Sequence, residues 1–462
     1  MGKIVVKFGG SNLKSPVDVQ RSAEVAAAYQ KPLVVVVSAF SGVTDGIITA
    51  MEESVFSSSS GENFIQELRD RHRRAVENYL SPGPEQTGVL QTVEARLTAL
   101  GHLLRGINYI GGIPDFTRDQ ALSYGERLSS PIVTAVLRSR GIEAKEALPE
   151  EIGLMAEGPF GNASADGEQC ASRLPRALGG DKTFVVPGFY GVRKDGKIAI
   201  FGRGGSDYTA AVIAQALGAD SLDLWKDVDG FLSCDPRLVK DSHTISYITY
   251  QEAAELSYFG AKILHPRTVE PLENNDIPIR VMNVERFDGT IRPFSIVGPE
   301  KRDTERGMDN GENGAIKSVV STDDVGIVRL EGPGVGSRPG ILARATGKLE
   351  AAGLNIVSDI TAQTCINLLF QRKDLQQAWA VLKAESVSGV VAVEGLEDVA
   401  LVAAVGSGIR DTVGVGSRIL GALAAAGINV LLAQAGASPV AVYTLVRRKD
   451  KDGALRAIHG VL

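Results

Sequence analysis

The sequence predicts an α/β protein. A three-layer α/β/α domain with a mostly parallel central sheet is followed by two ferredoxin-like βαββαβ units. Three observations predict it. First, two strand–Gly/Ser loop–helix units fall within the first fifty residues: Lys3–Phe8 leads into Gly9-Gly10-Ser11, and Leu33–Val37 leads into Ser38–Asp45. That alternation marks a parallel sheet covered on both faces, with ligands at the carboxyl ends of its strands. Second, Ile198–Phe201 runs into Gly202-Arg203-Gly204-Gly205-Ser206-Asp207, and an alanine-rich helix pattern leaves it toward Leu217. Third, the chain repeats itself after residue 314. Gly340-Ile341-Leu342-Ala343-Arg344 through Asn355 aligns at constant offset with Gly414-Val415-Gly416-Ser417-Arg418 through Asn429. Each copy reads strand, glycine loop, helix, Gly-X-Asn turn and strands, which is a ferredoxin-like unit.

Length and composition bound the function. A chain of 462 residues is long enough for about three domains. The net charge of −6 excludes a non-specific nucleic-acid binder, which would be basic. Three widely spaced cysteines, Cys170, Cys234 and Cys365, lack metal-ligand spacing and read as reduced thiols of a cytoplasmic protein. The first apolar run is too short for a signal peptide, and no run approaches the ~20 residues of a membrane span.

Taken in order, a helix is expected around Val17–Tyr29. Residues 51–113 form a helical excursion, with Phe64, Leu68, Ala75 and Tyr79 on one apolar stripe and Leu90, Val93, Leu97, Leu100 and Leu104 on another. Ser57–Ser60 reads as a loop, and the arginines at 69, 71, 73 and 74 as a solvated face. Ser123-Tyr124-Gly125-Glu126 opens a helix running to about Arg138. Further strands are expected near 184–187, 197–201, 221–228 and 279–284. The polar, breaker-rich residues 299–314 read as a linker, dividing a domain over 1–298 from units over 315–390 and 391–462. Exposed sheet edges in such units favour pairing with a copy or another subunit, so a homodimer or homotetramer is expected.

The 201–211 stretch is an anion cradle by composition. A glycine turn between strand and helix places free N–H groups and the positive helix end at one spot. Arg203 adds a guanidinium able to fork onto a carboxylate or phosphate. Ser206 is a candidate N-cap with Asp207 in the first turn. No Lys-Ser/Thr follows the glycines, so this is not a Walker loop. Glu126 near a helix start complements the helix dipole, and Asp229-Gly230 is a plain turn signal.

Six blocks together resemble the monofunctional aspartokinases of the amino-acid kinase superfamily. They are Lys7-Phe8-Gly9-Gly10-Ser11, Ser38 through Asp45, Ser123 through Glu126, Gly202 through Asp207, Lys226-Asp227-Val228-Asp229-Gly230, and Phe259 through Lys262 with Leu264-His265-Pro266-Arg267. The repeats resemble that family's paired ACT domains, and no homoserine dehydrogenase half is expected. The resemblance implies transfer of the γ-phosphoryl of ATP to the β-carboxylate of L-aspartate. A carboxylate nucleophile is ionised at neutral pH and needs no general base. Catalysis then rests on positive charge and alignment.

In that reading Lys7, with the Gly9 and Gly10 amides and Ser11, holds the transferring phosphoryl group. The resemblance further implies that Arg203 grips the substrate α-carboxylate and Glu126 its α-ammonium, with Ser38, Thr44 and Ser206 nearby. Asp207 faces either the ammonium or Mg²⁺. Asp227, Asp229, Phe231, Arg237 and Lys262 fall on the nucleotide side. Mg²⁺ is expected with ATP, without an assigned protein ligand. His265 reads as structural. An amino-acid effector would meet Asn355, Gln363, Asn429 and Gln434. The family's Ser-Ser-Glu-like stretch is replaced by Thr361-Ala362-Gln363-Thr364 and Gly436-Ala437-Ser438-Pro439, which lack its acid. Lysine, whose ε-ammonium wants a carboxylate, is therefore a doubtful effector.

Overall fold

The computed structural model describes residues 2–260, 263–300, 314–384 and 387–462. The chain forms two compact units. The first comprises Met1–Phe231, Thr244–Ser257 and Lys262–Arg302; the second comprises Leu232–His243, Tyr258–Ala261 and Asp303–Leu462.

The first unit is built on β1 (Ile4–Phe8), β2 (Leu33–Val37), β3 (Ala144–Glu146), β6 (Thr183–Pro187), β9 (Ser221–Lys226), β10 (Tyr247–Thr249), β11 (Ile279–Asn283) and β12 (Ser295–Gly298). These make one sheet in the order β10-β12-β11-β9-β1-β2-β6-β3. All neighbours are parallel except β11 and β12. Every residue of β1 and β2 is buried, as expected of β-branched strands covered on both faces. Short pairs β4 (Ala156–Glu157) with β5 (Ser164–Ala165), and β7 (Tyr190–Val192) with β8 (Ile198–Ile200), lie outside that sheet.

Two helices close the first crossovers, α1 (Pro16–Ala28) and α2 (Val43–Ser54). α3 (Ser58–Tyr79) and α4 (Pro84–Ile110) make the expected helical excursion, burying Ile65, Leu68 and Val76 against Val93, Leu97 and Leu104. Here the expected serine loop is corrected. Only Ser57 precedes the helix, and Ser58–Ser60 form its first turn, because serine is favoured at helix starts as well as in loops. α5 (Asp115–Leu122), α6 (Tyr124–Ser139), α7 (Pro149–Ile152), α8 (Gly167–Leu178) and α9 (Gly205–Leu217) complete the layers.

β9 is anchored by a buried carboxylate. Asp223 is fully buried and accepts bonds from the Tyr29 hydroxyl at 2.6 Å, Arg280 Nε at 2.7 Å and the Ser221 hydroxyl at 2.8 Å. A charge so fully hydrogen-bonded is tolerated in a core and holds the strand in register.

The second unit contains two four-stranded antiparallel sheets. One has the order β15-β16-β14-β17, from β14 (Val325–Glu331), β15 (Ser358–Thr361), β16 (Cys365–Gln371) and β17 (Ala392–Leu396). The other has the order β13-β18-β20-β19, from β13 (Ser318–Thr322), β18 (Val399–Val405), β19 (Leu432–Ser438) and β20 (Ala441–Arg447). The pairing cuts across the expected division at 390/391. β13 pairs with β18, and β17 pairs with β14. The first repeat is thus continuous over 325–396, while the second takes its fourth strand from upstream of the first. Sequence periodicity finds repeats but not which strand fills an edge slot.

All three cysteines are free thiols. Among the described residues no helix is long and apolar enough to cross a membrane.

Candidate active site

The site is assembled where β1, β2 and β9 end. Lys7 lies opposite Val36 on β2 and Leu224 on β9. Side chains alternate with a period of two, so Lys7, Ser38 and Lys226 fall on one face at one end of the sheet. The N-terminus of α9 arrives on the same face and brings Asp207. Lys7 Nζ stands 2.5 Å from Asp207 Oδ1, and Lys226 Nζ stands 2.8 Å from Asp207 Oδ2. Lys7 and Asp207 are buried and Lys226 nearly so, which makes the triad a desolvated, net-positive cluster. Burial alone would raise the Asp207 carboxyl, but the Lys226 and Lys7 ammonium groups outweigh it and hold Asp207 far below the usual carboxylate range. Burial lowers Lys7 from its ordinary value, and the Asp207 charge restores part of that loss.

Glu126, on the first turn of α6, lies near this cluster, close enough for its charge to act on Lys7. One carboxylate oxygen accepts from the Ser206 hydroxyl at 3.3 Å. The other is buried and, among the described residues, has no hydrogen-bond partner. Burial pushes the Glu126 carboxyl up to about 8, against the opposing pull of the nearby Ala39 and Glu126 amides, the Ser206 hydroxyl and the charge of Lys7. A buried acid with one unmet oxygen and a raised titration is a candidate binding group. Ser129 donates to the Ser38 carbonyl at 2.8 Å, fixing the β2 exit. Thr44 sits in the first turn of α2, its hydroxyl close against Gly125.

Arg203 is exposed and, among the described residues, forms no ion pair. It is presented by a turn with Gly202 at φ 73° and Gly204 at φ 71°. At Gly204 a side chain would meet the His265 Cβ at 2.5 Å, so glycine is required there both by conformation and by space. This gives His265 the structural place expected of it.

The nucleotide-side candidates divide. The Gly9 amide is not free, since it donates to Asn12 Oδ1 at 3.0 Å. The Gly10 and Ser11 amides, at the start of a short 3₁₀ turn, meet no backbone acceptor among the described residues. Asp227 is half-exposed and 3.5 Å from Lys14. Asp229 accepts from Asn283 Nδ2 at 2.6 Å. Phe231 departs from its expected role. Its ring is fully buried, its N–H donates to the Ser295 hydroxyl at 2.8 Å and its carbonyl accepts from Ile245 at 2.8 Å. It anchors the 227–230 turn and has no group left for a ligand. Arg237 belongs to the second unit, where its guanidinium forks onto Asp235. Lys262 lies outside the described residues.

Residues 2–283 match the amino acid kinase family and residues 402–462 match an ACT domain. Aspartokinase 1 (chloroplastic) of Arabidopsis thaliana is 30% identical over 98% of this chain and 79% of its own length. The chain belongs to the aspartokinases. A bifunctional aspartokinase/homoserine dehydrogenase of Haemophilus influenzae is 27% identical over 99% of this aspartokinase chain, which spans 56% of that relative's length. Escherichia coli aspartokinase III, in complex with aspartate and ADP, superposes with a TM-score of 0.82 at 25% identity, covering 100% of this chain and 99% of that one. The same enzyme in complex with lysine and aspartate gives 0.76 at 25% identity, covering 99% of each chain.

The regulatory candidates of this aspartokinase flank two matching strands in its second unit. Asn355 and Gln363 are exposed on either side of β15; Asn429 is exposed just before β19, which carries Gln434. The Gln434 side-chain oxygen accepts from the Ser358 hydroxyl at 3.2 Å, joining the two strands. Lys226 opens one of the blocks quoted for the resemblance, but sequence reading gives it no role of its own.

Proposed function

We propose that the chain is an ATP-dependent aspartate kinase that transfers the γ-phosphoryl of ATP to the β-carboxylate of L-aspartate, giving 4-phospho-L-aspartate and ADP. The observation that carries this is the buried Lys7–Asp207–Lys226 cluster beside the unmet oxygen of Glu126. The aspartate- and ADP-bound relative supports the same assignment. The nucleophile is already an anion, so the barrier lies in bringing it to a polyphosphate. Lys7 and Lys226 supply charge where it develops, and Asp207 holds both ammonium groups in place rather than removing a proton. Glu126 takes the α-ammonium and exposed Arg203 the α-carboxylate. Opposite charges at fixed spacing select an α-amino acid.

Mg²⁺ accompanies ATP in this proposal. Such an ion is held mainly by phosphate and water, with few protein ligands. Asp207 is engaged by two lysines and Asp229 by Asn283 and Arg286, so the more exposed Asp227 is the carboxylate that would complete its shell, and the ion would neutralise phosphate charge. We assign the ACT repeats to an amino-acid effector, and the assembly to a homo-oligomer.

The test is ADP release with L-aspartate, with the acyl phosphate trapped as the hydroxamate. L-Glutamate in place of L-aspartate should give none; equal rates with both would overturn the substrate assignment. Arg203→Ala is expected to raise the KM for aspartate with little change in that for ATP. A rise confined to ATP would move Arg203 to the other ligand.

Glu126 predicts a pH dependence. With its carboxyl raised to about 8, it is protonated in the free enzyme at neutral pH and must ionise to pair with an ammonium. The value of kcat/KM for aspartate should therefore rise with pH to a plateau above 8. Glu126→Gln should lower that plateau and abolish the rise. A wild-type profile flat through this range would remove Glu126 from ammonium recognition.

A further inference from the structure

The most connected side chain of the cradle has no part in the chemistry above. Arg267, downstream of His265, donates from one terminal nitrogen to the Phe201 carbonyl at 2.8 Å and to Asn162 Oδ1 at 3.1 Å. The other donates to the Ala163 carbonyl at 2.7 Å and the Ser164 hydroxyl at 3.1 Å. Its guanidinium also stacks over the Tyr208 ring, 4.5 Å from the centroid, and Tyr208 follows Asp207 in the first turn of α9. Both terminal nitrogens are thus occupied by protein acceptors, so Arg267 holds rather than binds.

What it holds is the entry to the turn that carries Arg203. That turn has one internal backbone bond, Gly205 N–H to Gly202 carbonyl at 3.0 Å. Left-handed Gly202 presses against the 161–162 backbone, where a Cβ would lie 3.1 Å from the Gly161 carbonyl. Three glycines in the four residues 202–205 make the turn adaptable, and the restraint has to come from outside it. We infer that Arg267 is a positioning residue that staples the 201–205 turn to residues 162–164 and so fixes Arg203 for the substrate α-carboxylate. The inference rests on the aspartate reading above for its ligand, but its geometric part stands independently.

The experiment compares full-length wild type, Arg267→Lys and Arg267→Ala. Lysine keeps the charge but cannot fork onto four acceptors or stack as a plane. The KM for aspartate is expected to rise about 10-fold or more, since small misplacements of a positioning group are costly, while the KM for ATP stays within about two-fold. Arg96→Lys serves as the comparison. It breaks a fork of 2.8 Å bonds onto Glu146 away from the cradle, and should lower Tm without raising the KM for aspartate. A second readout needs no substrate: tryptic cleavage after Arg203, followed by mass spectrometry below Tm, should be faster in Arg267→Lys and unchanged in Arg96→Lys. An unaltered cleavage rate overturns the staple, even if the chain proves to phosphorylate another acid. An unaltered KM in an enzyme that does phosphorylate aspartate, or an equal rise for ATP or in Arg96→Lys, overturns the role in binding. If Arg267→Ala does not fold, Arg267→Lys decides.

Discussion

Lys7→Ala is expected to reduce kcat by about 100–1000-fold, the usual cost of removing one preorganised donor from a site where charge develops, while the protein remains folded. The second half follows from the triad. Removing the Lys7 ammonium leaves Asp207 still paired with Lys226 at 2.8 Å, so no buried charge is stranded. The space left lies beside Gly9, where a Cβ would stand 3.2 Å from Lys7 Nζ, and beside the polar Asp207 rather than within the apolar core cluster. Turnover measured by ADP release, with Tm from circular dichroism, checks both halves. Near wild-type kcat would remove Lys7 from the mechanism. A collapse of Tm would show that the lysine is structural.

How far the site is legible in the sequence depends on whether its parts announce themselves locally. Lys7 can be found because two glycines follow a buried strand, and Arg203 because a glycine turn joins a strand to a helix. Glu126 and Ser206 are expected to serve one ligand, and their 3.3 Å contact brings together residues far apart in the chain. Lys226 cannot be separated from any lysine ending a strand, because its meaning depends on Asp207 lying across from it on α9. Phe231 fails in the opposite way. The resemblance puts it on the nucleotide side, but Ser295 and Ile245 claim its backbone and the core claims its ring. The sheets show the same limit. Binary pattern and the Gly-X-Asn turns identify both repeats, yet β13 carries nothing in its five residues that ties it to β18 rather than to its nearer neighbours. Strand partners are decided by which edge remains open after folding, and that is a property of the whole unit.

Asp207→Asn should be the most damaging single change in both stability and rate, for reasons opposite to those for Lys7→Ala. It keeps the shape of the side chain and removes the only charge shared by two ammonium groups in the triad. Stranding charges in this way costs about 3–5 kcal/mol in buried pairs, and a loss of that order is expected at pH 7. The sign of its pH dependence is fixed by the direction of the Asp207 shift. A carboxyl held below its unfolded value of 3.8 contributes its full stability above that pH and loses it on acidification. The gap in Tm between wild type and Asp207→Asn should therefore narrow below pH 4. The rate carries a second signature. Burial already lowers Lys7, the Lys226 charge lowers it further, and Asp207 is the main charge that opposes them. The Lys7 ammonium should then be harder to keep than in wild type, and kcat of the variant should recover as pH falls. A variant whose kcat falls in parallel with wild type on acidification would show that Asp207 acts on the substrate directly, and not by keeping two cations charged and aligned.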